Sequence, residues 1–149
     1  MIIQSSQNQY VKRLRALATA KGRREHGEFL VEGVRALEEA VEAGAAISYV
    51  AHCAELGGRR ALELAERLRA SHRVMEVNEP VFRSLSQVQA PEGLAAAVAI
   101  PRATLDDLPA EADLLLGAVD VRDPGNMGTL VRLADAVGAD AFIAAGTCV

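Results

Sequence analysis

The chain has 149 residues, half of them apolar, a net charge of −4 and five aromatic side chains. That is apolar material for one core or two small ones, which excludes a disordered chain. The longest apolar runs, such as Leu94 to Ile100, fall well short of the roughly 20 residues that cross a bilayer, and Met1-Ile2-Ile3-Gln4 lacks the charged-then-apolar plan of a signal peptide, so a cytoplasmic protein with no membrane partner is expected.

The first predicted element is basic. Ser5-Ser6 is placed to cap a helix whose apolar positions Val11, Leu14, Leu17 and Ala18 recur at helical spacing, with an end near Gly22. Residues 1–24 hold Lys12, Arg13, Arg15, Lys21, Arg23 and Arg24 with no acid, while the other 125 residues hold ten basic and twenty acidic groups. A basic arm of this kind suits phosphate contacts, and a solvated helix face accounts for the same composition.

Phe29-Leu30-Val31 reads as a short buried strand, and Glu32-Gly33 as the turn into a helix over Val34 to Ala43 closed by Gly44. A second strand follows over Ile47 to Ala51, a charged amphipathic helix over Arg59 to Ala70, a third strand over Arg73 to Val77, and a helix opened by Glu79-Pro80 and running toward Leu85. After the loop Gln89-Ala90-Pro91-Glu92-Gly93, Leu94 to Ile100 is apolar on both faces, as an interior parallel strand would be. Alternating elements of this kind make an α/β domain over residues 1–101.

Pro101 to Pro109, with two prolines and two acids, is expected to be a linker opening a second unit over residues 102–149. There a strand over Leu114 to Val119, a helix over Asn126 to Val137 stopped by Gly138, and a strand over Ala141 to Ala145 make one βαβ crossover. So short a parallel unit cannot cover both faces of its own sheet. The chain is therefore expected to be cut in mid-domain, or to have its open faces covered by another copy of itself.

A strand that turns into a helix through Asp123-Pro124-Gly125-Asn126 presents groups at the carboxyl edge of a parallel sheet, where α/β proteins bind ligands. Pro124 fixes φ, Gly125 tolerates close approach, and Asn126 is placed either to cap the helix or to point its amide at a bound group. Leu130, Leu133, Ala134 and Val137 form the inward stripe, which leaves Arg132 off it. Helical side chains lean toward the amino end, so the guanidinium of Arg132 is expected over the small residues Gly128 and Thr129, reaching back toward Asn126. A capped turn without function, and a surface pair of Arg132 with Asp135, are the plainer readings of the same residues. Neither glycine-rich phosphate motif is present. Cys53 and Cys148 read as free thiols, His26 and His72 are isolated, His52 beside Cys53 cannot form a zinc site alone, and no metal is expected.

With these residues in view, the sequence resembles the SpoU family of RNA ribose 2′-O-methyltransferases, a branch of the trefoil-knot SPOUT enzymes. Asp120-Val121-Arg122-Asp123-Pro124-Gly125-Asn126-Met127-Gly128, followed by Arg132, Ala134 and Gly138, is similar to that family's first motif. Ser6-Gln7-Asn8 with Val11-Lys12, Lys21-Gly22-Arg23-Arg24, Phe29 to Arg35, and Pro91-Glu92-Gly93-Leu94 resemble the substrate-binding domain attached to many members.

The resemblance implies a three-layer, ribosomal-protein-like α/β RNA-binding domain followed by the first βαβ portion of a knotted, Rossmann-like methyltransferase domain. It implies transfer of a methyl group from S-adenosylmethionine to a ribose 2′-hydroxyl, most often of ribosomal RNA, by a homodimer. Asn126 and Arg132 map onto its catalytic positions, and Lys12, Arg13, Arg15, Lys21, Arg23, Arg24 and Arg35 are the RNA-contact candidates. An always-protonated arginine suits gripping a phosphate and stabilising a developing alkoxide better than acting as a base. The family's cofactor-binding motifs are expected beyond Val149, so the isolated chain is expected to be inactive and not to bind the cofactor. Two other readings stay open: a non-catalytic RNA-binding module that keeps a remnant of the methyltransferase fold, and a small-molecule α/β enzyme. With so few aromatic residues, recognition through RNA charge and shape is expected rather than base stacking.

Overall fold

The computed structural model describes residues 2–149; Met1, the first residue of the amino-terminal stretch considered above, lies outside the described residues. The chain divides into two compact units, Met1–Pro101 and Arg102–Val149.

The first unit opens with two helices where the sequence pattern reads as one. Helix α1 (Gln9–Ala16) is capped by Asn8, whose side chain accepts from the Tyr10 amide, and α2 (Ala20–His26) is capped by Thr19, which accepts from the Gly22 amide. Ser5-Ser6 therefore lies ahead of the cap. Gly22 does not end a helix but lies inside α2, where a Cβ would fall 2.0 Å from the Ala16 carbonyl oxygen, so its lack of a side chain lets α2 pack on the end of α1.

There follow β1 (Glu28–Glu32), α3 (Val34–Glu42), β2 (Ile47–His52), α4 (Arg59–Leu68), β3 (Val74–Glu76), α5 (Glu79–Leu85) and β4 (Leu94–Ala99). The sheet order is β1-β4-β2-β3. β2 and β3 are parallel, but β4 runs antiparallel to both of its neighbours. The reading of Leu94 to Ile100 as interior was right and as parallel was wrong, because a strand buried on both faces is equally apolar in either direction.

Period-two alternation along β4 sends Ala95 and Ala97 into a core with α1 and α5, built around Leu14, Leu17 and Phe82. Leu94, Ala96 and Val98 go to the opposite face, with Leu37, Leu64 and Leu68 of α3 and α4. The three layers follow from these two faces. A register shift between Ile47 and Tyr49 lets Ile47 and Val50 share one core while Tyr49 and Ala51 enter the other.

Gly33 opens α3 at φ 99°, a region closed to most side chains, and has no side chain with which to cap it. The Glu92 carboxylate does so instead, accepting from the Val34 amide at 2.8 Å. This explains the Pro91-Glu92-Gly93 loop.

In the second unit a short 3₁₀ turn (Leu105–Asp107), closed by reciprocal bonds between Thr104 and Asp107, leads into β5 (Leu115–Val119), α6 (Pro124–Ala136) and β6 (Ala141–Ala145). β5 and β6 pair in parallel with Gly117 opposite Ile143. Asp140 accepts from the amides of Asp113 and Leu114 at 2.9 and 3.0 Å and so ties the entries of both strands together. Of the predicted inward stripe on α6 only Ala134 is buried; Leu133 and Val137 are half exposed, because a two-stranded sheet offers the helix only a narrow strip. No helix of the chain is long and apolar enough to cross a membrane among the described residues.

Candidate active site and nucleic-acid interface

The exit of β5 and the start of α6 enclose an open hollow of about 540 Å³ lined by Asp120 to Asp123, Asn126, Thr129 and Leu130. Asp123, not Asn126, caps the helix: its Oδ1 accepts from the Asn126 amide at 2.7 Å, and Pro124 takes the first helical position. Asp-Pro is itself a helix-start signature, and it would have set the start two residues earlier than the Asn126 predicted. With the cap supplied by its neighbour, the Asn126 carboxamide makes no hydrogen bond among the described residues, and it lines the hollow.

Arg132 folds back as the helix geometry predicts. Its Nη2 donates to Thr129 Oγ1 at 3.2 Å, and Thr129 in turn donates to the Gly125 carbonyl at 2.9 Å. A Cβ on Gly128 would lie 3.3 Å from Arg132 Nη1, so the glycine leaves room for this fold-back. The alternative pair with Asp135 does not form: among the described residues Arg132 has no carboxylate within ion-pair distance. Arg132 is not itself on the wall of the hollow; Thr129, on that wall, holds its guanidinium.

The two carboxylates at the hollow are already engaged by backbone amides, Asp123 by that of Asn126 and Asp120 by that of Thr147 at 2.7 Å. Among the described residues the groups left free on the wall are the Asn126 carboxamide and the exposed Arg122 guanidinium, with the Arg132 cation held by Thr129, a set that fits a hydroxyl beside an anion. Thr129 is the residue the sequence reading used only as a small neighbour and the structure makes the link between Arg132 and the hollow.

The seven basic candidates separate by what they touch. Arg13 binds Glu28 through two nitrogens at 2.8 and 2.9 Å, and Ser48 donates to the same buried carboxylate at 2.6 Å. Arg23 donates to the carbonyls of Leu17 and Ala18, closing the end of α1. Lys21 and Arg35 pair along their own helices with Glu25 and Glu39, at 3.7 and 3.0 Å. Lys12, Arg15 and Arg24 are exposed and have no ion-pair partner among the described residues. Tyr10 and Tyr49 meet edge to face, with Arg73 over the first ring and Arg13 over the second. The Cys53 thiol, buried and donating to Glu55, is pushed up to about 11, so it stays neutral and unreactive at ordinary pH.

The βαβ unit has a polar hollow where its first strand ends, at the carboxyl edge of a parallel sheet, the place where α/β proteins commonly bind ligands. Residues 8–96 match the MRM3-like substrate-binding domain. Two bacterial proteins are similar along nearly the whole chain. The 23S rRNA (guanosine(2553)-2′-O)-methyltransferase RlmP of Bacillus subtilis is 31% identical over 95% of this chain and 53% of its own length. The 23S rRNA (uridine(2479)-2′-O)-methyltransferase of Streptomyces viridochromogenes is 32% identical over 95% and 50%.

Among solved structures, the AdoMet-bound rRNA methyltransferase of Sinorhizobium meliloti superposes with a TM-score of 0.81 at 29% identity, covering 100% of this chain and 56% of that one. The SpoU methyltransferase AviRb of Streptomyces viridochromogenes does so with a TM-score of 0.76 at 30% identity, over 95% and 52%. The chain belongs to the SpoU methyltransferase family, and its first unit carries that family's substrate-binding domain. It spans about half the length of the curated relatives it matches.

Proposed function

We propose that the protein is the amino-terminal portion of an enzyme that transfers a methyl group from S-adenosylmethionine to the ribose 2′-hydroxyl of an RNA, ribosomal RNA being the substrate class. The observation that carries this is the hollow at the β5 exit, where the unengaged Asn126 carboxamide faces the cavity and Thr129 on its wall holds the Arg132 guanidinium. The relatives' activities support it.

Asn126 orients the sugar by hydrogen bonding to a hydroxyl or its neighbour. Arg132, always charged, grips the adjoining phosphate and stabilises the oxyanion as the hydroxyl passes its proton to solvent and takes the methyl group, the donor's sulfur leaving as a neutral thioether. S-adenosylmethionine supplies an activated methyl group, so the protein's task is alignment, a proximity effect worth several kcal/mol at order of magnitude. The free polar groups of the hollow fit the nucleotide side of this reaction, and none of the chain's residues is assigned to the cofactor. No metal is invoked.

The first unit holds the RNA through backbone charge. Lys12, Arg15 and Arg24 make the leading contacts because their charges are uncompensated, while Arg13, Lys21, Arg23 and Arg35 contribute from pairs that already hold the fold. The working form is a cytoplasmic homodimer. The alternative, an RNA-binding module without catalysis, keeps the basic surface and drops the roles of Asn126 and Arg132.

The deciding experiment is transfer of labelled methyl from S-adenosylmethionine to total ribosomal RNA by the full-length gene product. Asn126→Ala and Arg132→Ala are each expected to lower kcat by roughly 100-fold or more. Unimpaired transfer by both variants removes the site assignment, and RNA binding without transfer by the unaltered protein selects the alternative. Neutralising Lys12, Arg15 and Arg24 is expected to flatten the salt dependence of RNA affinity by about one unit of slope for each phosphate interaction removed. An unchanged slope marks that surface as solvated only.

A further inference from the structure

We propose that Asp120 is a positioning residue of this site: from a left-handed turn at the exit of β5, its carboxylate is anchored to the turn that follows β6, and this bond holds in place the β5 exit that forms one wall of the Asn126 hollow. The role rests on the reading of the site given above.

Asp120 has φ 55°, which makes it the one non-glycine residue in the left-handed region among the described residues. Such backbone is unfavourable for a residue with a Cβ, and aspartate tolerates it when its short side chain bonds locally. Glycine would make the same turn without strain. An aspartate here therefore calls for a use of its carboxylate, and the structure supplies one. Oδ1 accepts from the Thr147 amide at 2.7 Å, across 27 residues of chain, from one strand exit to the other.

Gly146 is fitted to that bond in two ways. Its own φ is 71°, and a Cβ on it would lie 2.5 Å from Asp120 Oδ1, too close for the carboxylate to stay where it is. Two further backbone bonds close the same seam, from the Asp120 amide to the Ala145 carbonyl and from the Val149 amide to the Val121 carbonyl, both at 3.1 Å. Asp120 then lines the hollow directly from the end of β5, and Asn126 lines it from the first turn of α6.

The bond is exposed and outside either packed core, so taken singly among the strand-end bonds of this unit it adds only modestly to stability. What it does define is the separation of two loops at the carboxyl edge of the sheet, where a displacement of about 1 Å can cost on the order of 100-fold in rate. Strain kept at such an edge is the kind that persists where geometry serves a reaction.

The test uses the full-length protein, ribosomal RNA and S-adenosylmethionine, with kcat and KM for RNA measured separately. Asp120→Asn keeps an acceptor oxygen and tolerates the turn, and its kcat is expected within about threefold of the unaltered protein. Asp120→Gly keeps the turn and removes the carboxylate; its kcat is expected to fall about 10- to 100-fold with KM nearly unchanged. Gly146→Ala, which displaces the carboxylate, is expected to match it. Should Gly146→Ala fail to fold, Asp120→Gly carries the test, because glycine fits the backbone there without strain. Full activity of Asp120→Gly beside an active unaltered protein overturns this role alone, as does a loss that Asp120→Asn shares in full or that appears only in KM. Absence of transfer by the unaltered protein overturns the reading of the site together with it.

Discussion

In the first unit β4 buries Leu94 and Val98 beneath α3 and α4, and Ala95 and Ala97 beneath α1 and α5, all at 1% exposure or less. In the second unit β5 buries only Ala118 and leaves Leu115 and Val119 46% and 68% exposed. The two sheets have similar apolar sequences; what differs is how many helices are there to cover them. Four helices, α1 and α5 on one side and α3 and α4 on the other, cover both faces of four strands in one case, and a single helix meets two strands in the other. The first unit therefore carries its stability in packed side chains. In the second, little apolar surface leaves the water within these residues, and order depends more on hydrogen bonds at the strand ends. The catalytic candidates stand on the second kind of scaffold and the RNA-contact candidates on the first.

The largest expected contrast comes from truncating equivalent apolar side chains. Phe82→Ala removes a fully buried ring from the core under α1 and α5 and is expected to cost about 3–5 kcal/mol. Leu133→Ala on α6, where the leucine is half exposed, is expected to cost only about 0.5 kcal/mol in this chain. Urea unfolding of both variants checks this. Equal losses would mean that the second unit has a core of its own.

Next in size is Gly22→Ala. The added methyl meets the backbone of α1, which cannot move aside as a flexible side-chain end would, and about 1–3 kcal/mol is expected from overpacking. The same change at Gly128 meets only the end of the Arg132 side chain. It is expected to leave stability nearly untouched and to lower methyl transfer by displacing the guanidinium. A variant at 128 that unfolds, or one at 22 that does not lose stability, would break the distinction between packed and unpacked helices.

Those two glycines also show what could be read in advance. Gly33 and Gly138 were legible because a glycine beside a periodic apolar run marks a helix boundary. Gly22 was misread by the same rule, since nothing local distinguishes a glycine that ends a helix from one that admits a neighbouring helix. The strands and their order along the chain followed from apolar runs, but the direction of β4 did not, because burial on both faces erases the pattern that tells parallel from antiparallel. At the candidate site, the return of Arg132 over Gly128 and Thr129 followed from helix geometry. Asp120 stands at the head of the motif stretch but received no role, because a left-handed aspartate leaves no sign in sequence; its partner Thr147 lies 27 residues away.

Arg13→Ala probes whether one residue of the first unit serves both its packing and its RNA contact. It leaves the Glu28 carboxylate, only 5% exposed, with Ser48 as its remaining partner, while Arg13 itself is 40% exposed and partly screened. A loss of about 1–2 kcal/mol is expected by thermal unfolding. If RNA affinity falls with no loss of stability, the arginine's charge is available to phosphate after all, and the separation drawn between Arg13 and its neighbours Lys12 and Arg15 fails.

The smallest expected effect concerns the strand ends of the second unit. The amides of Leu114 and Asp113 donate to Asp140 and hold its carboxyl below the ordinary aspartate range. A depressed folded value means that the ionised form favours the folded state. Its stabilising contribution is therefore complete above the unfolded value, about 3.9, and is lost as pH falls through the lower folded value. Asp140→Asn is expected to be slightly less stable than the unaltered chain near neutrality, with the gap closing once the pH falls below the folded value. The Leu114 amide resonance reports the same event directly and should titrate with a midpoint under about 3.9. A midpoint at or above that value would mean the carboxylate does not hold the entries of β5 and β6 together, and that the second unit owes its order to something other than its strand-end hydrogen bonds.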